Sequence, residues 1–164
     1  MDLAYTIVDS PLGRLLVAAT EKGVSAVYVA DDDRRLEREL REEYPGASVR
    51  RDDGTLTARV RPILAHLAGR ASRLDLPLDV KATAFQWRVW QELRRIPSGE
   101  TRTYGDVARA IGRPTATRAV ARACATNPVS IVVPCHRVVG ADGRLTGYRW
   151  GLDRKRRLLE AERG

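Results

Sequence analysis

The spacing of apolar residues changes part-way along this 164-residue chain, and that change limits the folds open to it. In the first thirty residues, apolar runs are separated by turn residues, as in LAYTIV-DSPLG-RLLVAAT-EKG-VSAVYVA. This pattern predicts a three-stranded antiparallel meander. In the second half the period is helical, with apolar residues four apart at Phe85, Val89 and Leu93. We therefore expect an α/β protein with two lobes, residues 1–82 and residues 83–164.

Three segments between these patterns complete the first lobe. Residues 34–44 predict a helix that ends before a Pro-Gly pair. Residues 55–69 predict a second helix, although Pro62 requires a kink or a position near its start. Residues 71–82 include Pro77 and fit either an edge strand or an extended linker.

Composition and cysteine usage exclude several classes of protein. No run reaches the roughly 18 apolar residues of a membrane helix, and the N-terminal residues lack the pattern of a signal peptide. We expect a cytoplasmic protein that binds no membrane. In that compartment Cys124 and Cys135 should be free thiols. With His66 and His136 as the only histidines and no paired-cysteine spacing, the sequence predicts neither a metal site nor another cofactor.

Basic residues are concentrated in the second half of the chain. Residues 1–82 contain 13 Lys and Arg against 14 Asp and Glu, a net charge of −1, whereas residues 83–164 contain 16 against 7, a net charge of +9. Such an excess attracts polyanions, because binding to phosphates releases condensed counterions. A solvated arginine-rich surface without a ligand is the alternative that charge alone leaves open.

Residues 104–126 predict a helix, a glycine-containing turn and a second helix, which is the helix-turn-helix pattern. At about 100° per residue, Val120 and Cys124 fall on the side opposite Arg118 and Arg122. Alternate positions between them are alanine, so the second helix should be thin and basic on its outer face. That shape suits approach to a nucleic-acid groove. Helix pairs also occur as simple packing units, and the pattern leaves both functions open.

The apolar run IVVPCHRVV is interrupted by proline, cysteine and histidine. Pro134 fixes its own backbone angle and biases Val133 to an extended conformation, which stiffens the chain before Cys135. A cysteine beside a histidine is a candidate nucleophile, because imidazole can lower the thiol pKa. In an extended segment adjacent side chains point to opposite faces, so contact between Cys135 and His136 requires a turn or a water molecule. A buried structural cysteine is the alternative.

Glu162 is the candidate residue to orient His136. It lies near the apolar stripe of the predicted C-terminal helix, four residues after Leu158 and three after Leu159. It also lies close to the helix C-terminus, where the helix dipole disfavours an acid. A pairing with His136 would account for both features. A solvent-exposed terminal glutamate is the alternative.

The combination of motifs is more specific than any one of them. The segments TAFQWRVWQELRRIP, TYGDVARAIG, RAVARACATNPVSIVVPCHRVV and GYRWGLDRKRRLLEAE together resemble the O6-alkylguanine-DNA alkyltransferases. The similarity is strong over residues 83–162, closest to the carboxy-terminal domain of the bacterial adaptive-response members, and looser before residue 83. It implies a ribonuclease H-like N-terminal lobe with a small antiparallel sheet and helices. It also implies a mostly helical C-terminal lobe that carries the helix-turn-helix, the DNA-binding surface and the alkyl acceptor.

The resemblance implies a single-turnover repair enzyme, a methylated-DNA–[protein]-cysteine S-methyltransferase. Such a protein flips O6-alkylguanine out of DNA, with O4-alkylthymine as a second candidate substrate, and keeps the alkyl group. By resemblance Cys135 is the acceptor, and His136 with Glu162 is the pair that generates the thiolate through a water molecule. Asn127 matches the residue that shapes the turn beside the site, and Tyr104 matches the hydroxyl that donates toward the guanine.

The resemblance also implies a DNA-contacting surface and a pocket wall. The implied DNA contacts are Thr103, Tyr104, Thr117, Arg118, Ala119 and Arg122, with Arg118 filling the stack that the flipped base vacates. The implied pocket wall is Ser130, Val138, Tyr148, Arg149 and Trp150. Trp150 stands where many relatives have glycine, and Ser130 where some have proline. We expect Trp150 to lean into the pocket and to exclude bulky alkyl groups, with outward packing as the alternative.

The expected partner is double-stranded DNA containing alkylated bases, bound by a monomer. Two other functions stay open: a non-catalytic alkyl-lesion-binding protein that signals damage, and a cysteine hydrolase, which needs an oxyanion hole and water. Damage-signalling relatives lack the acceptor cysteine, which is present here. The zinc of some relatives is not expected, because residues 1–82 contain no cysteine and only His66. Without the regulatory domain of the adaptive-response members, we do not expect transcriptional activation.

Overall fold

The computed structural model describes residues 1–71 and 73–164, which divide into two units, Met1–Val80 and Lys81–Gly164. The predicted α/β class is confirmed, since the first unit contains a sheet with helices and the second is mostly helical. The division falls two residues before the boundary expected from the sequence. Among the described residues, no helix is long and apolar enough to cross a membrane, and no three His, Cys, Asp or Glu are grouped to hold a metal ion.

The first unit is built on a four-stranded sheet in the order β3-β2-β1-β4. Its elements are β1 (Asp2–Ser10), β2 (Gly13–Ala19), β3 (Val24–Ala30), α1 (Asp33–Glu43), β4 (Ser48–Arg51) and α2 (Thr57–Leu67). The predicted antiparallel meander is present as β1, β2 and β3. β4, which runs parallel to β1, was not predicted. Its sequence, SVRR, is mostly exposed and lacks the apolar alternation that identifies a strand.

The segment expected to be an edge strand or a linker lies beside the start of β3. Val24 N–H donates to the Pro77 carbonyl (2.8 Å), and Asp79 N–H donates to the Val24 carbonyl (2.9 Å). These bonds form a single parallel bridge rather than a strand. Ser72, within this segment, lies outside the described residues. In α2, Pro62 lies inside the helix rather than near its start.

The second unit is a helical body that carries one short parallel ladder. Its elements are α3 (Ala84–Leu93), β5 (Arg102–Thr103), α4 (Tyr104–Ala110), α5 (Thr117–Ala125), a 3₁₀ turn (Cys135–Arg137), β6 (Val138–Val139) and α6 (Leu152–Arg163). α3 begins at a capping box in which the Thr83 side chain accepts from Gln86 N–H, and the Gln86 side chain accepts from Thr83 N–H. The predicted helix pair is present as α4 and α5, with Gly112 in the left-handed region (φ 75°) after α4.

Close packing at Gly23 yields the first testable prediction. A Cβ added at Gly23 would lie 2.6 Å from the Pro77 carbonyl oxygen and 2.8 Å from the Leu78 carbonyl carbon, so backbone would have to move. We expect Gly23→Ala to lower the free energy of unfolding by about 1–3 kcal/mol, measured by urea denaturation. Gly46→Ala is the matched control, because no atom lies within 4 Å of its added Cβ. Equal stability of the two variants would contradict the prediction.

Candidate active site

Two tight turns, held by one amide side chain, position Cys135. Val132 N–H donates to the Ser130 carbonyl (2.9 Å), which closes a γ-turn centred on Ile131 at φ 75°. A β-branched residue at positive φ is strained, at a cost of about 1–3 kcal/mol. Cys135 N–H donates to the Val133 carbonyl (2.8 Å) and closes a second γ-turn at Pro134.

Asn127 stabilises this strained segment from within. Its Nδ2 donates to the Val133 carbonyl (2.9 Å), and its Oδ1 accepts from Val129 N–H (2.9 Å). The amide is buried, so each of its bonds replaces one that water would otherwise supply. The residue implied by resemblance to shape this turn therefore lies at the turn.

The backbone at Cys135–Arg137 forms a 3₁₀ turn rather than an extended segment. An extended chain would point the two adjacent side chains of the Cys-His pair to opposite faces, but here the backbone turns, with Arg137 N–H donating to the Pro134 carbonyl (3.0 Å). His136 is fully buried, and its Nε2 lies 3.0 Å from Glu162 Oε2. The Glu162 side chain is 6% exposed, so the solvent-exposed alternative for this residue is wrong.

The short ladder between β5 and β6 brings Tyr104 to the same site. Thr103 pairs with Val139 in this ladder, and its side chain caps α4 by accepting from Asp106 N–H (3.0 Å). Tyr104 is the first residue of α4, and its hydroxyl donates to the Thr146 carbonyl (3.2 Å). Burial raises the Tyr104 pKa, so the phenol keeps its proton at neutral pH and can donate it in a hydrogen bond.

A cavity of about 430 Å³ opens beside the thiol. Its lining residues are Tyr104, Ala121, Cys124, Ala125, Cys135, Thr146, Gly147, Tyr148 and Arg149. Cys124 therefore lies on the same cavity as Cys135, although burial raises its pKa well above the usual range and keeps it protonated. Of these residues, the sequence predicts Tyr104, Cys135, Tyr148 and Arg149 as site residues, but not Ala121, Cys124 and Ala125 of α5.

The resting thiol differs from the prediction that a cationic neighbour depresses its pKa. Burial raises the pKa of Cys135 above its ordinary value, and this effect exceeds the lowering by Asn127, Lys155 and Arg149. The protonated thiol is therefore the favoured form of Cys135 in the resting protein. A thiolate has to be generated by transfer of the proton to a base during the reaction.

Lys155 is a buried cation that sequence reasoning missed. It is fully buried, and its Nζ donates to the carbonyls of Thr146 (2.7 Å) and Gly147 (3.2 Å), both of which line the cavity. The ammonium lies 6.0 Å from the centroid of the Tyr104 ring. Burial lowers the Lys155 pKa. In the sequence DRKRR this lysine resembles its solvated neighbours, and only its place one turn before the buried Leu158 and Leu159 distinguishes it.

Three residues predicted to form the pocket wall lie elsewhere. Ser130, Val138 and Trp150 are buried but are not among the residues that line the cavity. Trp150 Nε1 donates to Ser130 Oγ (3.0 Å), which fixes the indole in the interior of the unit. The prediction that Trp150 leans into the pocket is therefore wrong. A buried indole needs a partner for its N–H, and Ser130 supplies it.

The predicted DNA-contacting residues lie on α5 and at the start of α4. Arg118 and Arg122 are exposed, whereas Val120 and Cys124 are buried, as the helical wheel predicted. Thr117 is exposed, and Thr103, Tyr104 and Ala119 are half-buried. Within the described part of the chain, neither Arg118 nor Arg122 is held in an ion pair. Two guanidinium groups one helical turn apart are thus available to a polyanion.

Comparison with known proteins identifies the family. Residues 84–164 match the DNA binding domain of 6-O-methylguanine DNA methyltransferase, and residues 3–80 match its ribonuclease-like domain. A methylated-DNA–protein-cysteine methyltransferase of Mycolicibacterium paratuberculosis is 43% identical over 161 residues, covering 98% of this chain and 93% of its own length. The chain belongs to the 6-O-methylguanine DNA methyltransferase family. The resemblance stated from the sequence is confirmed.

Two further matches describe the relation of this methyltransferase-family chain to longer and to solved proteins. The bifunctional transcriptional activator/DNA repair enzyme Ada of Escherichia coli is 50% identical over 158 residues, and the chain spans 45% of its length. The chain thus covers about half of that relative. The crystal structure of O6-methylguanine methyltransferase from Mycobacterium tuberculosis superposes with a TM-score of 0.84 at 40% identity, covering 98% of this chain and 93% of that one.

The placement of Trp150 reverses the prediction made from its bulk. Because the indole packs against Ser130 and away from the cavity, Trp150→Ala should lower the free energy of unfolding by about 3–5 kcal/mol. It should not speed reaction of Cys135 with O6-benzylguanine. Arg149→Ala, which removes a side chain from the cavity lining, is the comparison. Mass spectrometry of benzyl transfer measures both, and acceleration in Trp150→Ala alone would contradict this assignment.

Proposed function

We propose that this chain repairs alkylated DNA directly, by irreversible transfer of an alkyl group from O6 of guanine to Sγ of Cys135. The observation that carries the proposal is the buried Cys135 on the lining of a cavity, adjacent in the chain to a His136–Glu162 pair. Family membership supports it, since relatives that match nearly full length are named methylated-DNA–protein-cysteine methyltransferases. A related Mycobacterium tuberculosis protein has been solved in complex with DNA.

Electrostatic attraction between the basic half of the chain and the DNA phosphates is the first step of binding. The +9 half of the chain neutralises phosphates, and Arg118 and Arg122 on the exposed face of α5 extend that charge toward the duplex. Cys135 is only 6% exposed, so a base inside a stacked duplex cannot reach it. The alkylated nucleotide has to rotate out of the stack and enter the cavity. The flat guanidinium of Arg118 suits the space that the base leaves, because it can stack on the neighbouring bases.

Alkyl transfer then proceeds with a proton shift. The thiol proton passes to His136 through a water molecule, and Glu162 stabilises the imidazolium that forms. Sγ forms a bond to the alkyl carbon as the bond from that carbon to O6 breaks, and the electron pair stays on guanine. The Tyr104 hydroxyl donates to the departing guanine and stabilises its negative charge. The guanine anion takes up a proton from solvent, and the His136 imidazolium releases the former thiol proton to solvent.

The product explains why the reaction stops after one turnover. Cys135 becomes a thioether, which is uncharged, and a thiolate is a poor leaving group from an alkyl carbon without an activating cofactor. A cysteine hydrolase instead forms an acyl intermediate that water cleaves. The non-catalytic alternative leaves the Cys135 thiol and the buried His136–Glu162 pair without a role. The acceptor function is therefore the better supported of the three.

The remaining parts of the proposal concern organisation. We assign DNA binding and alkyl acceptance to Lys81–Gly164, and treat Met1–Val80 as the ribonuclease-like lobe of the family. The protein acts as a monomer on alkylated duplex DNA in the cytoplasm. No cofactor takes part, because the nucleophile, the base and the donor are all side chains of this chain.

The decisive test is the mass of the intact protein after incubation with methylated duplex DNA. The wild-type chain should gain one methyl group with no further turnover, because the acceptor is consumed. Cys135→Ala should gain none, yet should bind the duplex as tightly, since the basic surface of α5 is unchanged. Peptide mapping should locate the methyl group on Cys135. A methyl group on Cys124 would contradict the assignment.

Arg118 can be separated from the chemistry by the choice of substrate. Arg118→Ala should slow repair of duplex DNA by about tenfold or more, because an unfilled stack favours return of the flipped base. Reaction with free O6-methylguanine should keep its rate, since no stack is disrupted. Arg122→Ala, one turn further along α5, should cause a smaller and salt-dependent loss. Equal losses on duplex and free base would show that Arg118 is structural.

A further inference from the structure

Arg137 is a buried arginine in the PCHRVV motif to which the proposed reaction gives no role. Arg137 is 6% exposed, and its neighbours in the chain, His136 and Val138, are buried as well. An arginine is buried only where its charge is paired and its donors are bonded, because an unpaired buried charge is unfavourable. The contacts of this guanidinium therefore indicate what it does.

The guanidinium shares one carboxylate with the imidazole. Nη2 of Arg137 donates to Glu162 Oε2 (2.6 Å), the same oxygen that lies 3.0 Å from His136 Nε2. Nε of Arg137 donates to the other oxygen, Oε1 (2.9 Å), so the contact is bidentate. Nη1 donates to the Ile96 carbonyl (2.7 Å), which anchors the guanidinium to the turn after α3. Glu162 thus bonds to one group that is always charged, Arg137, and to one that can gain a proton, His136.

Close packing also positions the backbone of Glu162 against the turn after α3. Gly99, in the same turn as Ile96, is at φ 90°, and a Cβ added there would lie 3.2 Å from the Glu162 carbonyl oxygen. The end of α6 therefore lies directly against this turn. The turn thus contacts both the Arg137 guanidinium, through the Ile96 carbonyl, and the backbone of Glu162.

We infer that Arg137 is a positioning residue that keeps the His136–Glu162 pair ready to accept the thiol proton. The inference rests on the proposed function and adds a residue to it. With an ionised Glu162 and a neutral His136, the buried group of Arg137, Glu162 and His136 has a net charge of zero. The thiol proton can then move to His136 without changing the net charge of the site.

Without the guanidinium, the charge of the site changes. A buried carboxylate that has lost its guanidinium partner favours the uptake of one proton by the His136–Glu162 pair, on either partner. His136 and Glu162 would then hold at rest the proton that His136 should receive from Cys135. Forming the thiolate would require a proton to leave the buried site altogether. Reaction at Cys135 would therefore depend on a higher pH.

Other ionisable groups around the pair do not replace Arg137. Lys155, on the same helix as Glu162, directs its ammonium to the carbonyls of Thr146 and Gly147. α3, which packs on the 3₁₀ turn, carries Arg88, bonded to the Ile111 carbonyl, and Glu92, paired with Arg95. Other groups that interact electrostatically with Cys135 or with Glu162 include Cys124, Tyr104, Tyr148 and Arg149.

The test compares Arg137→Gln, which removes the charge, with Arg137→Lys, which keeps the charge but loses the bidentate contact. Each full-length variant is titrated by NMR at the His136 ring, and the rate of iodoacetamide labelling at Cys135 is measured against pH by peptide mass spectrometry. In Arg137→Gln we expect the protonation midpoint of the pair to rise by about one pH unit or more. Labelling at pH 7 should fall by about tenfold or more and recover at higher pH.

Arg137→Lys should shift both measurements in the same direction but by less. Glu162→Gln serves as the reference for a site without its carboxylate. Arg156→Gln is the matched control, because Arg156 is an exposed arginine on α6, 3.9 Å from Asp153, and both profiles should stay unchanged. Thermal unfolding of every variant shows which of them are folded. If Arg137→Gln does not fold, the two pH profiles of Arg137→Lys test the inference.

Unchanged pH profiles in the folded Arg137 variants, with lower stability alone, would overturn the inference and make Arg137 a structural residue. These readouts need no DNA, so they are independent of the proposed repair activity. If the wild-type chain gained no methyl group from DNA while the Arg137 variants still shifted both profiles, the proposed function would fail and the charge relation would hold. If the wild-type chain gained a methyl group while the Arg137 variants kept the wild-type pH profiles, the proposed function would hold and the inference about Arg137 would fail.

Discussion

The hydrogen bonds of the Glu162 carboxylate are the interactions on which the second unit of this chain depends. The carboxylate joins the end of α6 to the 3₁₀ turn at Cys135–Arg137, and its partner Arg137 extends the connection to the turn after α3. A buried carboxylate is stable only if its oxygens are bonded and its charge is compensated. Those conditions require a charged partner and a second donor, and Arg137 and His136 meet them. In the proposed reaction, the same requirement for charge balance in the core positions His136, the proton acceptor, next in the chain to Cys135.

Strain in the backbone is located at the same point. The chain reaches Cys135 through γ-turns at Ile131 and Pro134, the first of which places a β-branched residue at positive φ. Strained conformations persist only where their surroundings fix them, and the buried amide of Asn127 does so with two hydrogen bonds. The segment is therefore rigid before any substrate binds. Rigidity at the nucleophile lowers the cost of orienting it for attack.

Local patterns predicted those parts of the fold that are set by local sequence. Strand alternation identified β1, β2 and β3, and helical spacing identified α5 with Cys124 inward and Arg118 outward. β4 escaped prediction, because four polar residues gain their strand conformation only by pairing with β1. The contact between His136 and Glu162 had one local signal, an acid at an apolar position near a helix end. The motif resemblance supplied Tyr104 and Asn127, which no periodicity would have selected.

Errors arose where a side chain's environment depends on distant residues. Trp150 was expected in the pocket because of its size, but the direction of an indole is decided by where its N–H finds an acceptor, and Ser130 lies twenty residues away. Lys155 was missed because a lysine in a basic run is nearly always solvated. Its burial depends on two carbonyls in the loop before α6. Sequence spacing contains no information about either partner.

The raised pKa of Cys135 has a consequence for selectivity. A permanently ionised thiol would react with any small electrophile, and a protein that can react only once would then be consumed without repairing DNA. Burial raises the pKa of Cys135 and so favours the protonated thiol at rest. In the proposed reaction, His136 acts as a base only when an electrophilic carbon occupies the cavity long enough for the proton to move. On the proposed function, the cavity admits a planar base that has left its stack, while α5 binds the duplex from which it came. The proposal thus couples reactivity to recognition, because the conditions that generate the thiolate are met in the complex with the flipped base.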